Sequence, residues 1–291
     1  MTDRVASTTA VLVCQGRAAA HGRLAADRFS DPVAERLLDP DERTVVEQVR
    51  AQRPPPGGAG RMAYELVRRT AVLMVPRTVA IDDALRDHGA RQVVVLGAGL
   101  DARAWRMPEL AHASVFEVDH PASQRDKRRR LGDLEPTAGQ VVSVAAVLEH
   151  DPLPAALEAC GFDPTLETTW VWEGVVPYLT SDAVAETVRA LADLSAAGSR
   201  LVVNYQSRSV SASVLRRVMR VVLRLSRQED PLAAEPWRST WSSGAMRTLL
   251  TQRGFAPMSD ADLITLGQGL ELPHDADASL RNGRVAVAVR R

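Results

Sequence analysis

Runs of aliphatic residues alternate with stretches of helical spacing along the chain. In "QVVVL" and "RLVVN" the apolar positions are continuous, which is typical of parallel strands buried on both faces. Two later candidates, "GFAPMSD" and "GRVAVAVRR", are expected to pair with each other. The pattern predicts a doubly wound, mostly parallel α/β sheet of seven strands with an antiparallel edge. The first five strands are predicted at Gln92 to Leu96, Ser114 to Val118, Val141 to Val147, Thr169 to Trp172 and Arg200 to Asn204.

The residues before the first strand carry apolar positions at helical spacing. The "RPPPGG" stretch, Arg53 to Gly58, predicts a loop among them, because proline removes backbone donors and glycine adds conformational freedom. Helices are predicted at Ala18 to Ala26, Pro32 to Leu38, Asp41 to Arg50 and Tyr64 to Asp87.

A second helical stretch, "SVSASVLRRVMRVVLRLSRQ", follows the fifth strand. Its valines and arginines predict a basic amphipathic helix, favoured as the outer face of a lid over contact with a membrane or an anionic partner. We therefore predict one domain in four parts. Residues 1–90 form a helical lid and entry segment, 91–206 a core, 207–240 an inserted lid and 241–291 the end of the sheet.

Composition narrows the class of protein. The 291 residues are 45% hydrophobic and 25% charged, which is ordinary for a globular protein and argues against disorder. The formal net charge is zero, so no overall field attracts nucleic acid. No apolar run is long enough to span a membrane, and the first residues lack the order of a signal peptide. The two cysteines lack metal-type spacing, so no zinc site is expected, and their small number predicts a cytoplasmic protein. The sequence leaves the oligomeric state open.

The first predicted strand runs into a glycine turn, Gly97-Ala98-Gly99. Glycines at a strand-to-helix turn let a ligand approach the backbone, and free N–H groups follow at the start of the helix. The second strand ends in "FEVDHP", which places Asp119 twenty residues after Gly99. An acidic side chain there can accept hydrogen bonds from both ribose hydroxyls. Together these features predict a site for a nucleoside cofactor.

Two cofactor classes compete for this turn. The segment fits G-x-G-x-x-A, so an NAD-dependent oxidoreductase is a genuine alternative. However, Asp101 stands where a pyrophosphate would rest, which is unfavourable near a helix N-terminus unless Arg103 intervenes. S-adenosyl-L-methionine carries no phosphate and brings a sulfonium and an amino group, so neighbouring carboxylates favour it.

Several segments in this order resemble the leucine carboxyl methyltransferase family, in its bacterial branch of class I S-adenosyl-L-methionine-dependent methyltransferases. They are "VPRTVAIDDAL", "RQVVVLGAGLDARAWRM", "VFEVDHP" and "WVWEGVVPYLT", and the resemblance covers roughly Arg17 to Val289. It implies a Rossmann-like sheet with a helical lid, S-adenosyl-L-methionine as cofactor and O-methylation of a carboxylate on a small molecule or peptide.

The resemblance also implies roles for individual residues. Arg77 corresponds to the arginine that holds the methionine carboxylate, and Glu173 to the glutamate near the amino acid moiety. The Gly97, Ala98 and Gly99 turn lies under the methionine and ribose, and Asp119 binds the ribose. Tyr178 and, more loosely, Arg17 are expected to face the substrate.

The end of the third strand departs from the family pattern. Family members carry Asp-Leu or Asp-Phe there, with the carboxylate accepting from the adenine amino group, whereas this chain has Val147 and Leu148. Leu148 is expected to pack on adenine, with Glu149 or His150 as substitutes for the missing acceptor if the register shifts. A lost hydrogen bond costs about 1–2 kcal/mol, so cofactor binding is expected to be weakened by about tenfold.

The chemistry of the acceptor is open at this point. A carboxylate is ionised at neutral pH and needs orientation but no general base. A hydroxyl or phenol acceptor needs a base, for which His120 or His150 is the first candidate. A tailoring reaction of secondary metabolism is the favoured setting, and a non-catalytic protein that keeps the fold is a further possibility.

Overall fold

The computed structural model describes residues 7–207, 237–273, 280 and 282–291, which include a seven-stranded sheet in the order β3-β2-β1-β4-β5-β7-β6. Strands β1 to β5 are parallel, and β7 is antiparallel to both β5 and β6. The predicted doubly wound, mostly parallel sheet is confirmed. The strands are β1 (Gln92–Leu96), β2 (Ser114–Asp119), β3 (Gln140–Ala145), β4 (Thr168–Trp172), β5 (Arg200–Gln206), β6 (Phe255–Asp262) and β7 (Gly283–Arg290).

The predicted antiparallel edge of the sheet is confirmed. Strands β6 and β7 pair with each other as expected, but the antiparallel strand β7 lies between β5 and β6, so the edge strand β6 runs in the same direction as β5. The third strand ends at Ala145 and not at Val147, because its pairing with β2 ends at the partners Asp119 and Ala145.

Nine α-helices lie in the described ranges, together with short 3-10 turns. They are α1 (Thr8–Ala20), α2 (Pro40–Arg50), α3 (Gly58–His88), α4 (Arg103–Arg106), α5 (Pro121–Leu131), α6 (Leu153–Glu158), α7 (Ser181–Asp193), α8 (Ser243–Gln252) and α9 (Leu263–Leu266). None of the helices in this part of the chain has the length and apolar character needed to cross a membrane.

The start of the chain folds differently from its prediction. The first helix was expected at Ala18 to Ala26, but α1 covers Thr8–Ala20. Ser7 caps its N-terminus by accepting a hydrogen bond from the Ala10 N–H at 3.1 Å. The helix ends before Gly22, whose φ of +69° is left-handed. The region 32–38, also predicted as a helix, contains only the 3-10 turn Ala34–Leu37.

The later helices before the sheet follow the sequence more closely. Helix α2 begins one residue before the predicted Asp41 because Pro40 occupies its first turn, where a missing N–H costs nothing. Helix α3 begins at Gly58, earlier than the predicted Tyr64, and continues through Pro76. The "RPPPGG" stretch separates the two helices as a loop up to Gly57.

Both faces of the sheet are buried. Val94 and Leu96 of β1 point into one apolar layer, whereas Val93 and Val95 point into the other. This double burial explains why the aliphatic runs are continuous. The predicted basic helix of the inserted lid, residues 209–228, falls outside the described residues. The four-part division of the chain stays a prediction.

Candidate active site

One cavity of about 460 Å³ opens at the carboxyl ends of the parallel strands. Strand β1 has β2 on one side and β4 on the other, so the chain order reverses here, which is the usual position of ligand sites in such sheets. The cavity brings together all ten residues singled out in the sequence, although their roles toward a cofactor stay predictions. These residues are Arg17, Arg77, Gly97, Ala98, Gly99, Asp119, Val147, Leu148, Glu173 and Tyr178.

The glycine turn after β1 depends on the absence of side chains. Gly97 and Gly99 have φ values of +64° and +46°, in the left-handed region where a Cβ atom is strained. A Cβ atom on Gly97 would collide with the side chain of Val175, and one on Gly99 would lie 3.2 Å from the Cβ of Ala10 in α1. The turn therefore passes closely between α1 and the segment after β4.

Asp119, the last residue of β2, is held by backbone donors. Its Oδ2 accepts a hydrogen bond from the Gly99 N–H at 2.5 Å, and its Oδ1 accepts one from the His120 N–H at 2.6 Å. Each carboxylate oxygen has two lone pairs, so both oxygens keep a site for a further donor. Asp119 thus links the glycine turn to β2 while it lines the cavity.

Glu173 follows β4 and lies between two arginines. Its Oε1 accepts from Arg77 Nε and its Oε2 from Arg103 Nη1, each at 2.7 Å. Burial alone would raise the pKa of Glu173, but the nearby Arg103 and Arg77 guanidinium groups outweigh burial and hold that pKa well below its usual range. Glu173 is therefore ionised and oriented at neutral pH.

Asp101 does not stand unpaired in the cavity. Its carboxylate forms a short ion pair with Arg103 Nη1 and accepts from the Arg103 N–H at 2.8 Å. The expected repulsion of a pyrophosphate depended on Arg103 not intervening, so the structure removes that argument against NAD. The helix after the turn is also a single turn, Arg103–Arg106, with little dipole to offer an anion.

Arg17 of α1 lines the cavity but has protein partners. Its Nε donates to Asp31 Oδ2 at 2.8 Å and its Nη2 donates to the Leu100 carbonyl at 2.6 Å. These contacts fix α1 against the glycine turn. The predicted contact of Arg17 with a substrate carboxylate stays a prediction.

The buried charges around the cavity form one connected set, which we call the arginine–carboxylate network. Asp82 joins the group around Arg103 to the group around Arg106, since it pairs with each of these arginines at 2.7 Å. Every side chain of the network is at most 9% exposed, and positive and negative groups are equal in number. Its members are Arg17, Arg77, Arg103, Arg106, Asp31, Asp82, Asp101 and Glu173.

Comparison with known proteins identifies the family. The sequence model of the leucine carboxyl methyltransferase family matches residues 10–192, which is more than half of the chain and includes the glycine turn and Asp119. This chain belongs to the leucine carboxyl methyltransferase family. The resemblance found in the sequence is thereby confirmed.

The relatives of this family member agree with that assignment. A "Putative S-adenosyl-L-methionine-dependent methyltransferase" of Mycolicibacterium smegmatis is 39% identical over 202 residues, which cover 66% of this chain and 63% of the relative. The chain thus matches less than two thirds of that relative's length.

Solved structures share the fold. A DUF574 family protein from Streptomyces avermitilis has a TM-score of 0.58 and 14% identity, with 98% of each chain covered. A protein from Thermobifida fusca, described as a putative methyltransferase, has a TM-score of 0.52 and 17% identity, with 99% of this chain and 96% of that chain covered.

At the end of β3 this family member keeps its predicted departure. Val147 and Leu148 line the cavity where the family pattern has a carboxylate, and Leu148 also packs against the apolar layer of the sheet. Of the two substitutes considered, Glu149 lines the cavity, whereas His150 is exposed and is not among the lining residues.

Several lining residues were missed in the sequence. Helix α1 could have been placed by its capping serine, Ser7, but nothing in the sequence shows that α1 covers the glycine turn. Arg238 lies far along the chain and reaches the cavity only through the fold. The lining residues without a predicted site role are Ser7, Thr9, Ala10, Val13, Val95, Leu100, Val118, Ser123, Ala146, Gly174, Val175, Leu179 and Arg238.

Proposed function

We propose that this chain transfers a methyl group from S-adenosyl-L-methionine to a carboxylate oxygen of a small molecule or peptide, as a tailoring step in secondary metabolism. Its membership of the leucine carboxyl methyltransferase family makes it an S-adenosyl-L-methionine-dependent methyltransferase. The carboxylate acceptor, the pathway and a cytoplasmic setting are the finer parts of the proposal.

The residues present fit this cofactor. The bare glycine turn gives close access to the backbone, and Asp119 keeps lone pairs for ribose hydroxyls. Glu173 is an ionised carboxylate for the amino group, and Arg77 beside it is a cation for the methionine carboxylate. When bound, S-adenosyl-L-methionine supplies an electrophilic methyl group on a sulfonium.

The observation that carries the choice of acceptor is that the carboxylates lining the described cavity are already paired. Asp101 and Glu173 bind Arg103, and Asp119 binds two backbone N–H groups. The fourth, Glu149, binds Arg238. A carboxylate that is held by a cation or by N–H donors is a poor acceptor for a substrate proton, so the cavity suits an acceptor that is already ionised.

His120, the base considered for a hydroxyl acceptor, is also engaged. It lines the cavity, but its Nδ1 accepts a hydrogen bond from the Ala122 N–H at 3.1 Å and caps helix α5. In the neutral ring Nε2 then carries the proton, so neither ring nitrogen is free to take one from a substrate. This arrangement disfavours a hydroxyl or phenol acceptor.

The test is the chemical stability of the transferred methyl group. The full chain is incubated with methyl-labelled S-adenosyl-L-methionine and a panel of carboxylic acids, phenols and alcohols of matched skeletons. We expect label only in the acids, released as volatile methanol by mild alkali, as methyl esters do. Alkali-stable label in a phenol or alcohol would contradict the proposal.

Binding experiments distinguish a methyltransferase from a non-catalytic protein and from an oxidoreductase. Cofactor binding without turnover of any acceptor would favour a non-catalytic protein, and binding of NAD in place of S-adenosyl-L-methionine would favour an oxidoreductase.

His120→Gln should leave the rate of ester formation within about threefold of the unaltered chain, since a carboxylate needs no base. A loss of about a hundredfold or more, in the range expected for a general base, would contradict that expectation.

Asp119 offers a test of the cofactor position. Asp119→Ala removes the acceptor for the ribose and the Gly99 N–H, and we expect the Kd for S-adenosylhomocysteine to rise at least a hundredfold, by roughly 3 kcal/mol. Calorimetry measures this effect. An unchanged Kd would show that the ribose lies elsewhere, and Glu186→Ala, an exposed carboxylate on α7, is the matched control.

A further inference from the structure

The loop after β3 folds into a tight turn that uses one of its own carboxylates. The N–H groups of His150 and Asp151 both donate to the Val147 carbonyl at 2.9 Å. Asp151 Oδ2 in return accepts from the Val147 N–H at 2.8 Å. Asp151 therefore closes the turn and does not line the cavity.

Glu149 is the residue of this turn that brings a carboxylate to the cavity. It stands two positions after Val147, beside Leu148, and both line the same part of the wall. The turn reverses the chain after Leu148, and Glu149 is the carboxylate of this turn at the cavity wall, two residues after the position of the family carboxylate.

Arg238 holds that carboxylate in place. Its Nη1 donates to both oxygens of Glu149, at 2.7 and 2.9 Å. Its own N–H and that of Ser239 donate to the Pro177 carbonyl at 2.6 and 3.2 Å, so Arg238 is anchored on the turn that follows β4. The two side chains are 45% and 26% exposed, so the pair adds little stability and acts mainly by orienting Glu149.

We propose that Glu149 accepts the hydrogen bond from the adenine amino group in place of the carboxylate missing at Val147, and that Arg238 positions it. A carboxylate has about four lone-pair sites, and Arg238 occupies two, so Glu149 retains acceptors for the amino group. Leu148 then provides the apolar contact beside it. The inference rests on the cofactor named in the proposed function but not on the acceptor.

The experiment measures binding and not turnover. Calorimetry on the full chain compares S-adenosylhomocysteine with its analogue in which hydrogen replaces the 6-amino group. We expect Glu149→Ala to raise the Kd for S-adenosylhomocysteine by about tenfold and the Kd for the analogue by less than twofold. Arg238→Ala should also raise the Kd for S-adenosylhomocysteine, but by a smaller factor. Glu158→Ala is the control, because Glu158 is an exposed carboxylate at the end of α6, and it should change the Kd of neither ligand.

The outcomes separate this inference from the proposed function. An equal loss for both ligands would mean that Glu149 only supports the turn, and an unchanged affinity for S-adenosylhomocysteine would mean that it makes no contact. Either result overturns the inference while leaving the methyl donor in place. If the unaltered chain binds neither ligand, the cofactor itself is wrong and both proposals fail.

Discussion

Two sets of buried charges in this chain lie on neighbouring elements and behave differently. The arginine–carboxylate network borders the cavity and connects many partners. The second set is a single pair, Lys127 of α5 and Glu117 of β2, whose Nζ and Oε1 are 2.6 Å apart with side chains 4% and 6% exposed. Lys127 is the only lysine in the chain, and its Nζ lies 4.7 Å from the ring centre of Trp105.

The two glutamates have opposite pKa shifts. Burial raises the pKa of Glu117, and its one cation, Lys127, does not compensate fully. Burial acts on Glu173 in the same direction, but several arginines bring its pKa far below the usual range. The number of cations around a buried carboxylate, more than its depth, therefore decides the direction of the shift in this chain.

The largest effect is expected from Arg103→Met. Arg103 pairs with Asp82, Asp101 and Glu173, so its removal leaves Asp101 without its cation. Asp82 and Glu173 each lose one of two cations and keep Arg106 and Arg77. We expect the free energy of unfolding to fall by about 3–5 kcal/mol, measured by urea denaturation. A loss below about 1 kcal/mol would show that the network tolerates the missing charge.

Lys127→Met should cost less, and its cost should depend on pH. Without Lys127, Glu117 stays buried and its pKa rises further above the unfolded value of about 4.3. The folded state then binds a proton more readily than the unfolded state, so its stability falls as pH rises through the folded pKa. We expect a loss of about 2 kcal/mol at pH 8 and a smaller loss at pH 5, from urea curves at both values. A loss that grows toward acid pH would contradict this sign.

Replacing both partners of the pair should nearly restore stability. In Lys127→Met with Glu117→Met, no charge is left in the site and the volume stays similar. We expect unfolding free energy within about 1 kcal/mol of the unaltered chain, measured as for the single variant. If the double variant were as unstable as Lys127→Met alone, packing and not charge would account for the loss.

An exposed pair gives the reference for both sets. Arg189 binds Glu186 at 2.8 Å on α7, with side chains 52% and 62% exposed. We expect Arg189→Ala to leave the free energy of unfolding unchanged within the error of the urea assay, because water and salt screen the pair. A measurable loss of stability in that assay would mean that exposure does not separate the buried sets from the surface.

The strands were predictable because their signal is local. Continuous valines in β1 and β5 require burial on both faces, and the structure provides it. Residues at or just after strand ends, such as Asp119 and Glu173, could be located because carboxyl ends of parallel strands meet at one edge.

The contacts that organise the site were not predictable, since they join distant positions. Asp31, Asp82 and Arg106 come from three separate segments, and no spacing relates them. Helix α1 was misplaced because its strong signals, Ser7 and Gly22, are single residues at its two ends, while the alanines after Arg17 favour a helix wherever they stand. Glu149 and Arg238 pair across a sequence separation of 89 residues.

The two backbone hydrogen bonds to Asp119 have a thermodynamic consequence. Because the Gly99 and His120 N–H groups already fix this carboxylate, the turn is preorganised, so a ligand that binds against it loses little affinity to ordering the loop.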